Sequence, residues 1–258
     1  MSPTEILGLG ASAMAAGAIN AVAGGGTLLT FPTLLFFGTP PIVANATSTL
    51  ALTAGTAGSV YGYRRLLGAV KSWLWRFVPV SIIGGMLGSA LLTHTSEKTF
   101  SKLVPFLILF ATLIFLAQGF FRRLVALDEN VAKNTRHHTM IGAVAFQFLV
   151  AVYGGYFGAG IGILMLASLG FIRLGNIYEM NALKTVLSSL INLVASIWFI
   201  FAGLIDWPKA AVMTIGALAG YFLGAHYSQR IPARRVRQII TSIGLILSAW
   251  TFYKEFLR

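Results

Sequence analysis

The stretch Asn20-Ala21-Val22-Ala23-Gly24-Gly25-Gly26-Thr27, followed by a short apolar run through Pro32 to Gly38, decides how the chain is read. Three consecutive glycines inside a long apolar block do not serve helix stability, since each costs about 1 kcal/mol relative to Ala in a helix interior. In a bilayer, a broken helix is tolerated only where the freed backbone faces protein or a water-filled cavity. A glycine break followed by an unusually short apolar segment therefore points to a discontinuous helix at a transport site. A second such stretch, Gly154-Gly155-Tyr156-Phe157-Gly158-Ala159-Gly160-Ile161-Gly162, lies in the other half of the chain.

Composition sets the class. Of 258 residues, 57% are hydrophobic and only 10% are charged, against about 25% charged in soluble domains. The mean hydropathy is +0.80. This is the composition of a polytopic membrane protein. There is no cysteine, which excludes disulfides and thiolate chemistry. The formal charge of +12 is read as Lys and Arg in cytoplasmic loops rather than as a nucleic-acid surface. No basic region precedes the first apolar run, so no cleavable signal peptide is expected.

Apolar runs fall at about 4–22, 27–38, 42–62, 77–93, 103–121, 139–157, 160–172, 179–202, 209–227 and 238–256. Most approach the roughly 20 residues a spanning helix needs. The two short ones, 27–38 and 160–172, directly follow the glycine breaks. The polar stretch 122–138 is expected to be a cytoplasmic linker between a first transmembrane repeat, 1–121, and a second, 139–258. At one constant offset Gly24 falls on Gly160, Gly26 on Gly162, Asn45 on Asn181 and Ala46 on Ala182. The basic gap 64–76 falls near 203–209, which is not basic. Equivalent loops of inverted repeats lie on opposite sides of the membrane.

The basic gaps test this. If Arg64, Arg65, Lys71 and Arg76 are cytoplasmic, tracing the runs in both directions places every strongly basic gap inside. The gaps holding Glu97 and Asp206 lie outside, and both termini are extracytoplasmic. The trace holds for eight or ten membrane elements.

The helix after each break starts with unpaired backbone N–H groups and the positive end of its dipole, which suits an anion. In the following helix Asn181, Lys184, Ser188 and Asn192 share one face, with counterparts at Asn45, Ser48, Leu52 and Thr56 and with Thr49 and Thr53 adjacent. Polar faces at lipid depth point to the bundle interior or a cavity. Lys184 stands out as a cation about one and a half turns inside its segment, with an anionic substrate as the expected counter-charge. The seven acids, Glu5, Glu97, Asp128, Glu129, Glu179, Asp206 and Glu255, all fall at segment ends or in loops. A mid-membrane carboxylate relay is thereby disfavoured. The Asn45-Ala46-Thr47 sequon is expected to be buried and unused.

Gly17, Gly24-Gly25-Gly26, Pro32, Gly38 and Ala44-x-Ala46-Thr47-Ser48 resemble the first-half signature of the TauE/SafE family of sulfite and organosulfonate exporters. Gly154–Gly160, then Asn181-Ala182-Leu183-Lys184, then Gly203 with Asp206-Trp207, are similar to its second half. The resemblance implies a bacterial or archaeal cytoplasmic-membrane permease for small sulfur-containing anions. Two features make the half-sites chemically unequal: Ser168 stands where a proline is frequent, and Lys184 stands where the first half has Ser48.

The expectation is an all-α polytopic membrane protein of two inverted-topology repeats, four to five membrane elements each, acting as a secondary transporter of a small anion. The expected substrate-binding residues are Asn20, Gly24, Gly25, Gly26, Thr27, Asn45, Ser48, Thr49, Gly158, Gly160, Gly162, Asn181, Lys184, Ser188 and Asn192. No catalytic residue, metal or cofactor is called for. The implied partners are a small anion and the lipid bilayer, with a homodimer as an option and no nucleic acid. The coupling ion leaves no signature, and export rests on the resemblance. Two other readings are a transition-metal exporter using His94, His137, His138 and His226, and an intramembrane hydrolase pairing Ser48 with Lys184. There is no Gly-x-x-x-x-Gly-Lys-Ser/Thr motif for ATP.

Overall fold

The computed structural model describes residues 1–22, 25–126, 137–171, 177–227 and 233–256, and statements about the structure refer to these. The secondary structure is helical throughout: α1 Pro3–Val22, α2 Thr27–Phe36, α3 Pro41–Gly62, α4 Lys71–His94, α5 Glu97–Ala126, α6 His137–Tyr156, α7 Ile161–Phe171, α8 Ile177–Phe201, α9 Trp207–Tyr227 and α10 Ala233–Phe256. A single 3₁₀ turn, Arg64–Leu66, follows α3. Helices α4, α5 and α10 start earlier than their apolar runs, because charged and amphipathic turns extend the helix beyond its apolar stretch. Most of the expected linker, residues 127–136, lies outside the described residues, as do residues 228–232.

By length and composition, the spans Lys71–His94, Glu97–Ala117 and Tyr178–Phe201 are apolar enough to cross a bilayer. The outer surface fits that solvent. Ile215 is 71% exposed, Phe222 76% and Ile246 68%, a coat of large apolar side chains that water would not tolerate over so wide an area.

Several helix boundaries follow from local chemistry. Pro41 opens α3 and Pro208 stands in the first turn of α9, where a missing N–H is harmless. Helices α2 and α8 end alike. Thr39 N–H donates to Leu34 O while Gly38 donates to Leu35 O; Leu204 donates to Phe199 O while Gly203 donates to Ile200 O. Gly38 (φ 75°) and Gly203 (φ 68°) take the left-handed position this closure requires.

Small residues set the closest packing. Helix α1 lies on α9 and α6 on α4, each pair running parallel. A Cβ at Gly216, Gly220 or Gly224 would strike the backbone of Gly10, Met14 or Ala18. A Cβ at Gly84 or Gly88 would strike the backbone of Phe148 or Val152. Close backbone approach of this kind is how membrane helices gain packing contact where lipid supplies no hydrophobic drive. Helices α3 and α8 run antiparallel through the centre, joined by the Thr53 and Ser196 hydroxyls 3.0 Å apart.

Helix α2 folds back along α1. Ser12 Oγ lies 2.8 Å from Thr33 Oγ1 and donates to Leu29 O at 3.3 Å; further along, Phe37 sits over Gly8. At 1.5 Å per residue α2 is about 15 Å long, half the hydrocarbon thickness.

At one end of the bundle, Lys209 Nζ reaches Glu5 at 3.1 Å, Asp206 at 3.6 Å and Thr39 Oγ1 at 2.9 Å. Nearby, Ile42 N–H donates to Glu97 and Asp206 N–H to Thr47 Oγ1. The opposite end carries Arg64 and Arg65, at the close of α3, and Lys71 and Arg76, at the start of α4.

Candidate functional site

The two glycine breaks, which are far apart in the chain, line one cavity of about 230 Å³. From the first half come Asn20, Gly25 and Thr27; from the second come Gly158, Gly160 and Gly162. Gly25 (φ 91°), Gly158 (φ 79°) and Gly160 (φ 79°) hold left-handed backbone there, which side chains with a Cβ disfavour. Phe31 and Phe157 meet edge-to-face at 5.3 Å and pack the first half's short helix against the second half's break.

Helix α3 presents Thr49, Leu52, Thr56 and Ser59 to the cavity, with Tyr63 just past its end, and α8 presents Asn181, Lys184, Ser188 and Asn192. Both sets keep the three- and four-residue spacing of a single helix face. Lys184 Nζ donates to Asn181 Oδ1 at 3.2 Å. Its alkyl stem crosses Gly162, where an added Cβ would stand 3.6 Å from Lys184 Cδ. The cavity runs from Gly158, Asn192 and Thr49 to Tyr63 and Asn181, at the ends of α3 and α8 nearest the Arg64–Arg76 face.

Three expected residues stand back from the wall. Asn45 is buried and donates from Nδ2 to Tyr156 O at 3.0 Å, so it holds the end of α6. Ser48 is buried with its hydroxyl 2.6 Å from Thr30 Oγ1, fastening α3 to α2. Gly26 packs under α1 and donates its N–H to Asn20 Oδ1 at 2.7 Å. Gly24 lies outside the described residues.

The helix starts are also less open than an unpaired N-terminus. Leu28, Leu29 and Thr30 N–H donate back to Gly25 and Gly26 carbonyls, and Ile163 and Leu164 N–H to Gly160 O. Tight turn bonds take up orphan donors in this way. The ammonium of Lys184 and the amides and hydroxyls of the wall therefore carry more of the site's polarity than bare helix ends.

Ser59 and Tyr63 also line the cavity, beyond Thr56 where the expected stripe ended; the same three- and four-residue spacing, carried further, would have found them. No spacing signal marks Tyr221 of α9, which also lines the cavity and arrives only by tertiary packing. No His, Cys, Asp or Glu cluster able to hold a metal occurs among the described residues, and the His137, His138 and His226 side chains lie outside them. Ser48, engaged with Thr30, is not on the wall that carries Lys184.

A bundle of apolar helices around a polar cavity is the build of a membrane transporter. The chain belongs to the sulfite exporter TauE/SafE family, which it matches over residues 9–251. It is 30% identical to a protein of Haemophilus influenzae named "Probable membrane transporter protein", over 92% of this chain and 90% of that one. It is 28% identical to the Escherichia coli K12 "Probable membrane transporter protein YfcA", over 92% and 84%. A Sinorhizobium relative, "Probable membrane transporter protein ORF9", is 25% identical over 92% and 88%. No solved structure gives a significant match. The relatives are transporters, not enzymes.

Proposed function

We propose that the protein is a secondary transporter of a small anion, such as sulfite or an organosulfonate, working by alternating access in a cytoplasmic membrane. The observation that carries this reading is the cavity: its described wall holds Lys184 and no carboxylate, and it lies where the breaks of both halves meet. A polar wall whose described charge is a single ammonium at membrane depth suits an anionic guest. The surrounding amides and hydroxyls orient it.

The two halves, 1–121 and 139–258 flanking the 122–138 linker, act as inverted repeats. Recurrent packing supports this. Gly84 and Gly88 meet Phe148 and Val152 as Gly220 and Gly224 meet Met14 and Ala18. Those glycines correspond at the same offset that places Asn45 on Asn181. With the Arg64–Arg76 face cytoplasmic, both termini lie outside and the cavity reaches the cytoplasmic side. The Thr53–Ser196 contact and the Lys209 network then close the other side. Rocking one repeat against the other would exchange the open and closed ends.

The test is thermal stabilisation of the purified protein by sulfite, sulfate, thiosulfate, sulfoacetate, taurine, acetate and nickel. Stabilisation by a sulfur oxyanion or sulfonate, lost in Lys184→Ala while the variant still inserts, is expected. Equal protection of the variant would refute the role of Lys184, and stabilisation by nickel alone would refute the anion reading.

A further inference from the structure

We propose that the Tyr221 hydroxyl, together with that of Ser189, binds the transported anion directly. This rests on the anion-transport reading above. Tyr221 is on α9, is 8% exposed and lines the cavity. Its ring lies against Gly55 of α3, where any Cβ would overlap it. The ring is thus held in place by a residue reduced to hydrogen.

Its hydroxyl makes no hydrogen bond within the protein. The Asn20 side chain interacts with it electrostatically, but no hydrogen bond of good geometry closes between them; Asn20 Oδ1 accepts from Gly26 N–H at 2.7 Å. Ser189 Oγ, on the same cavity, is likewise buried and without a partner. Three other wall hydroxyls are occupied: Thr49 donates to Asn45 O, Thr56 to Thr53 O and Ser188 to Lys184 O.

A buried hydroxyl with no partner is destabilising, and a phenylalanine would fill the space over Gly55 equally well. The hydroxyl is therefore explained by a guest rather than by packing. A phenol O–H is a good donor to an anionic oxygen and adds no charge to the site. With one ammonium and otherwise neutral amides and hydroxyls, the wall suits an oxyanion of low charge whose separate oxygens meet Lys184 and these two hydroxyls.

The experiment titrates the purified full chain with sulfite and with methanesulfonate, comparing the wild type with Tyr221→Phe, Ser189→Ala and Lys184→Ala. Loss of one hydrogen bond to a charged ligand weakens binding roughly ten- to a hundredfold. That loss is expected in Tyr221→Phe, with the melting point of the unliganded protein unchanged or raised, since the variant removes an unsatisfied buried hydroxyl. If Tyr221→Phe binds like the wild type while Lys184→Ala does not, the proposal for Tyr221 fails and the transport reading stands. If the wild type binds neither anion, both fail. Should the Phe variant not fold, Ser189→Ala decides, and unchanged affinity there overturns the proposal.

Discussion

At the residue scale, the glycines of the breaks have two separate tasks. Gly25 combines φ 91° with Phe115 of α5, whose ring would stand 2.6 Å from an added Cβ. Gly25→Ala meets both strain and overlap and is expected to destabilise the protein by about 2 kcal/mol, read as a lower midpoint in thermal unfolding in detergent. Gly162 differs, because its backbone is helical and Lys184 Cδ is at ordinary contact distance, 3.6 Å. Gly162→Ala should melt at or slightly above the wild type, since alanine is the better helix former. A lower midpoint there would mean that the lysine stem packs more tightly than this contact implies.

At the element scale, the parallel pairs α1–α9 and α4–α6 depend on glycine at the crossing. Gly88→Val would drive Cβ into Val152 O, and Gly224→Val into Ala18, whose carbonyl oxygen is 2.7 Å from the ideal Cβ. Either change forces the helices apart, and overpacking of this kind costs about 1–3 kcal/mol. Similar losses are expected in the two variants, because the packing recurs in both halves. Gly142→Ala on α6, with nothing within 4 Å of the new Cβ, is the control, expected to melt at or slightly above the wild type. A large effect from Gly142→Ala, or none from Gly88→Val, would contradict the packing account.

At the scale of the whole molecule, the arrangement predicts sidedness. The chain lacks cysteine, so single cysteines can report exposure without background. Cysteine introduced at Arg65 or Ser59 should react with an impermeant maleimide only from the cytoplasmic side, and one at Lys98 only from outside. Labelling of Arg65→Cys from outside would reverse the proposed topology. Lys209 ties Glu5, Asp206 and Thr39 at the end proposed to be closed. Lys209→Ala should lower the melting point by a few degrees and raise outside labelling of a cysteine at Thr53, as the closure loosens.

Much of this was legible in the chain itself. A membrane bundle follows from apolar length and scarce charge, because lipid leaves the backbone no other partner than its own helix. Both breaks follow from glycines that no helix interior favours, and the Asn181–Asn192 face follows from helical spacing. Tertiary structure decided which members of that pattern reach the cavity. Asn45 and Ser48 match Asn181 and Lys184 by offset, yet their side chains are spent on Tyr156 and Thr30. Tyr221 has no periodic signal and enters the wall because Gly17 and Gly55 let α9 approach α1 and α3. Sequence periodicity determines which face of a helix is polar; only the packing of helices against one another determines whether that face meets a cavity or a neighbouring backbone group.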